Sequence, residues 1–156
     1  MKETIFTTLE IFPEKGHLTD ACFDVIATGK KFDRDLQCFV YETDLKIEIP
    51  EGHQVLAFPR SSIRKYDLTL ANGIGVIDQG YINQIMFSFK PLLNIELMNR
   101  LAEGARVNSE SFKSYDVGDK IGQIQLVKVI DTDWKHKEKL ESSSDRGMGG
   151  HGSTGK

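Results

Sequence analysis

The sequence predicts an all-β domain, a sandwich or barrel, interrupted by one short helix. Three observations carry this. Short segments rich in β-branched and aromatic residues recur at close spacing, compact turn signals separate them, and a single stretch has helical periodicity. The expected strand segments are 4–11, 21–28, 38–49, 54–57, 74–77, 82–89 and 122–130. Pro13-Glu14-Lys15-Gly16, Pro50-Glu51-Gly52, Ala71-Asn72-Gly73 and Asp116-Val117-Gly118-Asp119 are the turns, each placing Gly, Pro, Asn or Asp where the backbone must reverse. The helix spans 94–104. Leu93, Leu97 and Leu101 recur every four residues, Asn94 is placed to cap its start, and Gly104 is placed to end it.

At 156 residues the chain suffices for one domain around a single core. Its formal charge of -3, from 20 basic against 23 acidic residues, provides no basic footprint for a nucleic-acid partner, so any anion site is local. No apolar run reaches membrane-spanning length, and no membrane partner is expected. Cys22 and Cys38 read as small buried hydrophobes, which points to the cytoplasm or another reducing compartment, that of a host cell if the protein is viral. Beyond Trp134 the chain turns to lysine, then serine, then glycine. That composition cannot bury apolar area, so the expected organisation is a β domain over 1–140 and a mobile arm over 141–156.

Five segments carry polar chemistry. In "FPRSSIRK" (58–65) a strand-breaking proline precedes Arg60, Ser61 and Ser62, a guanidinium fork and two hydroxyls suited to an anion. In "ANGIGVIDQGYINQI" (71–85) Asp78 ends a short apolar strand and Tyr81 follows a tight turn, so the two can flank a pocket. "ACFDVIAT" (21–28) places Asp24 inside an apolar strand, where its charge requires an arginine, a backbone cluster or a hydrated metal ion. "VGDKIGQIQLVKV" (117–129) offers Gln123 as a neutral donor. The terminal "DRGMGGHGSTGK" interleaves glycines with Arg146, His151, Ser153 and Thr154, groups that bind phosphate or stack on a base.

In this order and spacing, the five segments resemble the motifs of the trimeric dUTP pyrophosphatase (dUTPase) family, from about Ala21 to the last residue. The most specific are "PRSS", "GVIDQGY" and "RGMGGHGSTG". The resemblance implies a jelly-roll-like β domain assembled as a homotrimer with sites shared between subunits. It further implies Mg²⁺-assisted hydrolysis of dUTP to dUMP and pyrophosphate. Asp78 would activate water for attack on the α-phosphorus, and Asp24 would hold the Mg²⁺ through water. Arg60, Ser61 and Gln123 would contact phosphates, with Ser62 beside them. Asn72 would line the uracil pocket and Tyr81 would pack under the deoxyribose. Arg146, Ser153 and Thr154 would close over the terminal phosphates while His151 stacks on the base.

The chain departs from the family pattern at several places. His151 replaces an aromatic Phe, Gly80 replaces an acid, Ser62 replaces a common Gly, and residues 92–115 form a longer loop. Asn83 replaces a Gly, and is expected to take the left-handed turn that the hairpin needs. Two alternatives stand beside this reading. One is a dUTPase-fold regulatory partner gated by nucleotide, using 92–115 as its contact. The other is a dCTP deaminase, whose catalytic Glu would fall near Ser88, where no acid stands.

Overall fold

The computed structural model describes residues 3–10 and 12–141. Ten strands, all paired antiparallel, make two four-stranded sheets and one two-stranded ribbon. The first sheet runs in the order β2 (Phe23–Ile26), β10 (Lys120–Lys128), β6 (His53–Pro59), β8 (Gly75–Ile77). The second runs β3 (Gly29–Asp33), β4 (Cys38–Glu42), β9 (Phe87–Pro91), β7 (Leu68–Leu70), and β1 (Phe6–Thr7) pairs with β5 (Ile47–Glu48). Val25, Val55, Ala57, Ile121 and Ile124 of the first sheet share one apolar core with Phe39, Tyr41, Leu68, Phe87 and Phe89 of the second. The expected all-β domain with one helix is what the chain forms.

Where elements differ from the sequence expectation, local hydrogen bonding explains the difference. β3 has no counterpart among the expected strands because Gly29-Lys30-Lys31 has no strand composition; it is recruited as a hairpin partner by the buried β4. The hairpin turn is closed by Asp33 Oδ1, which accepts from the amides of Asp35 and Leu36, and by Gln37 at φ 52°. The segment 38–49 breaks at Thr43-Asp44. Asp44 adopts φ 55°, while the Thr43 hydroxyl donates to the Ile85 carbonyl. β7 is too short for a compositional signal.

The helix α1 covers Ile95–Ala102. Asn94 Oδ1 accepts from the Leu97 amide at 2.9 Å, and Gly104 at φ 84° follows its end, as the sequence indicates. Only Leu97 of the three spaced leucines is buried, so α1 lies on the surface and leaves Ile95, Met98 and Leu101 exposed. Among the described residues no helix is long and apolar enough to cross a membrane.

The two sheets pack tightly at Gly122, which sits opposite Val25 and Pro59 in register. A Cβ there would overlap the Phe87 ring. Gly122→Ala should therefore destabilise the domain by about 2–3 kcal/mol through overpacking, read as a lower urea midpoint; an unchanged midpoint would show that the sheets yield freely at this point.

Candidate active site

Register brings one group of the polar residues together. Asp24 on β2 lies opposite Gln123 on β10, and Gln123 lies opposite Phe58 on β6, so Asp24, Gln123 and the start of the 58–65 segment form a row across three strands. The Asp24 side chain is only 11% exposed, and two cations offset its loss of water. Arg60 Nε donates to Asp24 Oδ1 at 2.7 Å and Nη2 to Oδ2 at 3.3 Å; Lys120 Nζ donates to Oδ2 at 2.9 Å. The partner that Asp24 requires is thus arginine, reinforced by a lysine that the sequence does not reveal. Only the fold shows that lysine, since the two residues are 96 positions apart.

Arg60 uses two N–H donors on Asp24 and keeps the rest of its fork for an anion. It precedes a single 3-10 turn, Ser61–Lys65. Arg60, Ser61 and Gln123 line a recess of about 450 Å³ together with Asp24, His17 and Asp20. Gln123 Nε2 donates to the Pro59 carbonyl at 3.1 Å, which ties it to the same strand end. Ser62 does not join them: its Oγ has no accessible surface and is turned inward, so the loop presents one hydroxyl to the recess rather than two.

A second recess, of about 310 Å³, opens at the β8 hairpin between Ala57, Ala71, Asn72, Gly75 and Ser88. Gly75 lets two backbones come close, since a Cβ there would stand 3.2 Å from the Ala57 Cβ. Asp78 and Tyr81 lie past the other end of β8, both exposed. The Tyr81 amide donates to the Asp78 carbonyl at 3.2 Å, and its hydroxyl to the Gln84 carbonyl at 3.0 Å. The left-handed residue of this turn is Gly80, at φ 88°. Asn83 does not take that conformation, contrary to expectation; its Oδ1 instead accepts from the Gln84 amide at 2.8 Å. With Gly80 supplying the reversal, the hairpin needs no second left-handed residue.

β6 and β8 pair Ala57 with Gly75 and Val55 with Ile77. Asp78 therefore falls beside the Gln54 end of β6, whereas Arg60 follows its Pro59 end. At about 3.3 Å per residue the separation is on the order of 20 Å. The chain thus holds Asp78 and the Arg60 recess apart. The predicted residues Arg146, His151, Ser153 and Thr154 lie outside the described residues. Among the described residues no three His, Cys, Asp or Glu side chains cluster as a metal site.

An arginine braced by a nearly buried carboxylate beside one recess, with a second recess at the β8 hairpin of the same all-β domain, can offer its spare N–H donors to a compact anion. The dUTPase family model matches residues 10–102. The deoxyuridine 5'-triphosphate nucleotidohydrolase of Clostridium acetobutylicum is 30% identical over 93% of this chain and 89% of its own length. That of Clostridium tetani is 30% identical over 92% and 88%. The dUTPase of Staphylococcus bacteriophage 80alpha with dUpNHpp superposes with a TM-score of 0.71 at 24% identity, covering 99% of both chains. A mutant dUTPase from phage phi11 of S. aureus, described with a structural Mg(II) ion, gives 0.62 at 24% identity over 90% of this chain and all of its own. This chain belongs to the dUTPase family, a family of enzymes.

Asp24→Ala should cost about 1–3 kcal/mol, because it leaves the one-third-exposed Arg60 unpaired. Lys120→Met should cost less than about 1 kcal/mol, because its side chain is 45% exposed and water screens the pair. Urea unfolding of both variants checks this, and equal losses would contradict the ranking.

Proposed function

We propose that the protein is a dUTP diphosphatase, hydrolysing dUTP to dUMP and pyrophosphate with Mg²⁺, in sites shared between the subunits of a homotrimer. Family membership supports the reaction class. The observation that carries the shared site is the ~20 Å separation of Asp78 from the Arg60 recess along one β6 strand, too far for both to act on one phosphorus. Val129 and Ile130 are exposed after β10, and Trp134 is 97% exposed, which is apolar surface that a second copy would bury.

In this reading Arg60, Ser61 and Gln123 bind the phosphates and neutralise the charge that develops on the departing pyrophosphate. Asp78, with no side-chain hydrogen bond among the described residues, orients a water and accepts its proton in line with the α-phosphorus. Asn72 and the backbone near Gly75 supply donors and acceptors to the uracil edge, and the Tyr81 ring lies under the deoxyribose, where a 2′-hydroxyl would clash.

The residues present suit a cation held through water. A carboxylate has about four acceptor positions, and Asp24 already gives three to Arg60 and Lys120, leaving room for one water of a hydrated Mg²⁺ but not for direct ligation. When bound, the ion would withdraw charge from the triphosphate. Residues 141–156 are assigned to an arm that closes over the site, with Arg146, Ser153 and Thr154 on phosphate and His151 on the base. Deamination is disfavoured because the hairpin recess has Ser88 and no carboxylate in its lining.

Pyrophosphate release from dUTP, dCTP, dTTP and UTP tests the proposal. We expect strong preference for dUTP, and for Asp78→Asn a fall in kcat of roughly 10²–10⁴-fold with an unchanged melting temperature, since the side chain is exposed. Equal turnover of the four nucleotides, or an undiminished variant, would reject it.

A further inference from the structure

Two buried hydroxyls beneath the phosphate loop lack partners that meet hydrogen-bond geometry: Ser62 Oγ and the Tyr115 hydroxyl, each with essentially no accessible surface. Buried polar groups in folded proteins are nearly always satisfied, so an orphaned pair calls for an explanation. Tyr115 lies 53 residues beyond Ser62 and ends the long 92–115 loop, yet it packs beside the end of the 3-10 turn Ser61–Lys65. Its ring packs on Tyr66, the residue after the turn, with centroids 3.9 Å apart. Ser62, near the start of the turn, is close enough to the phenol to oppose the upward shift that burial imposes on its pKa. The Tyr41 hydroxyl donates to the Tyr115 carbonyl at 3.0 Å and fixes the backbone from which the ring projects.

We infer that Tyr115 and Ser62 are positioning residues: their hydroxyls pair beneath the 61–65 turn and set the orientation in which Arg60 and Ser61 meet the triphosphate. Neither touches the substrate. The hydroxyl that the sequence suggests for the phosphates is used instead to hold the loop that carries Arg60 and Ser61. A hydroxyl pair suits this task because neither member has any other hydrogen-bond partner among the described residues. Removing one orphans the other, whereas removing both leaves an apolar contact. The inference rests on the proposed phosphate-binding role of Arg60 and Ser61.

The test compares two probes by calorimetry on the full chain: dUpNHpp, which engages both recesses, and deoxyuridine, which carries no phosphate. Ser62→Ala and Tyr115→Phe should each weaken dUpNHpp binding roughly three- to tenfold while leaving deoxyuridine affinity unchanged, and the double variant should be no worse than either single one. Parallel loss for both probes, additive losses, or no loss would overturn the pairing. If the unaltered protein bound dUpNHpp no more tightly than deoxyuridine, the phosphate-recess reading would fall first and the inference with it. Should Tyr115→Phe not fold, Ser62→Ala alone separates the outcomes, since it removes a hydroxyl without disturbing the aromatic cluster.

Discussion

The structure at the Arg60 end of the domain depends on the Asp24–Arg60 pair. A carboxylate in the middle of β2, nearly out of contact with water, would be prohibitively costly alone. The guanidinium just past the end of β6, across β10 from β2, makes it tolerable, and the carboxylate in return holds the arginine in one orientation at the recess. The pair that stabilises the strand also fixes the arginine that the proposed function assigns to phosphate. This explains why the arginine comes directly after a proline that ends β6: the strand has to stop for the side chain to turn towards β2.

Antiparallel pairing then separates the chemistry. β6 links both halves, with Arg60 beyond one end and β8 delivering Asp78 to the other. A chain built this way keeps the Arg60 recess and Asp78 at opposite ends of one strand. Small backbones allow the close packing around them: Gly75 lets the hairpin approach Ala57, and Gly122 lets the sheets close over Phe87. At the Arg60 end, the aromatic cluster of Tyr41, Tyr66, Phe89 and Tyr115 ties the turn after β6 to the core.

Much of this is legible in the sequence where the signal is local. Turn residues bound most strands, and Asn94 and Gly104 delimit the helix because capping is set by a few adjacent positions. The need of Asp24 for a cationic partner is legible from its apolar flanks. Which cation is not, because strand register determines that Arg60 and Lys120 both arrive there. The inward turn of Ser62 is likewise hidden, since tertiary packing rather than adjacent residues buries its hydroxyl. β3 escapes a reading by composition because its pairing with a buried strand outweighs its own polar residues.

The central claim is that one site takes Arg60 and Asp78 from different chains, and mixing variants tests it most directly. Arg60→Met and Asp78→Asn proteins, each inactive alone, would be unfolded together and refolded as mixed assemblies. With one residue from each of two neighbouring subunits, about a quarter of the sites in random trimers combine an intact Arg60 with an intact Asp78, so activity should return to roughly that fraction. If both residues acted within one chain, no mixed site would be complete and the mixture would stay inactive, contradicting the account.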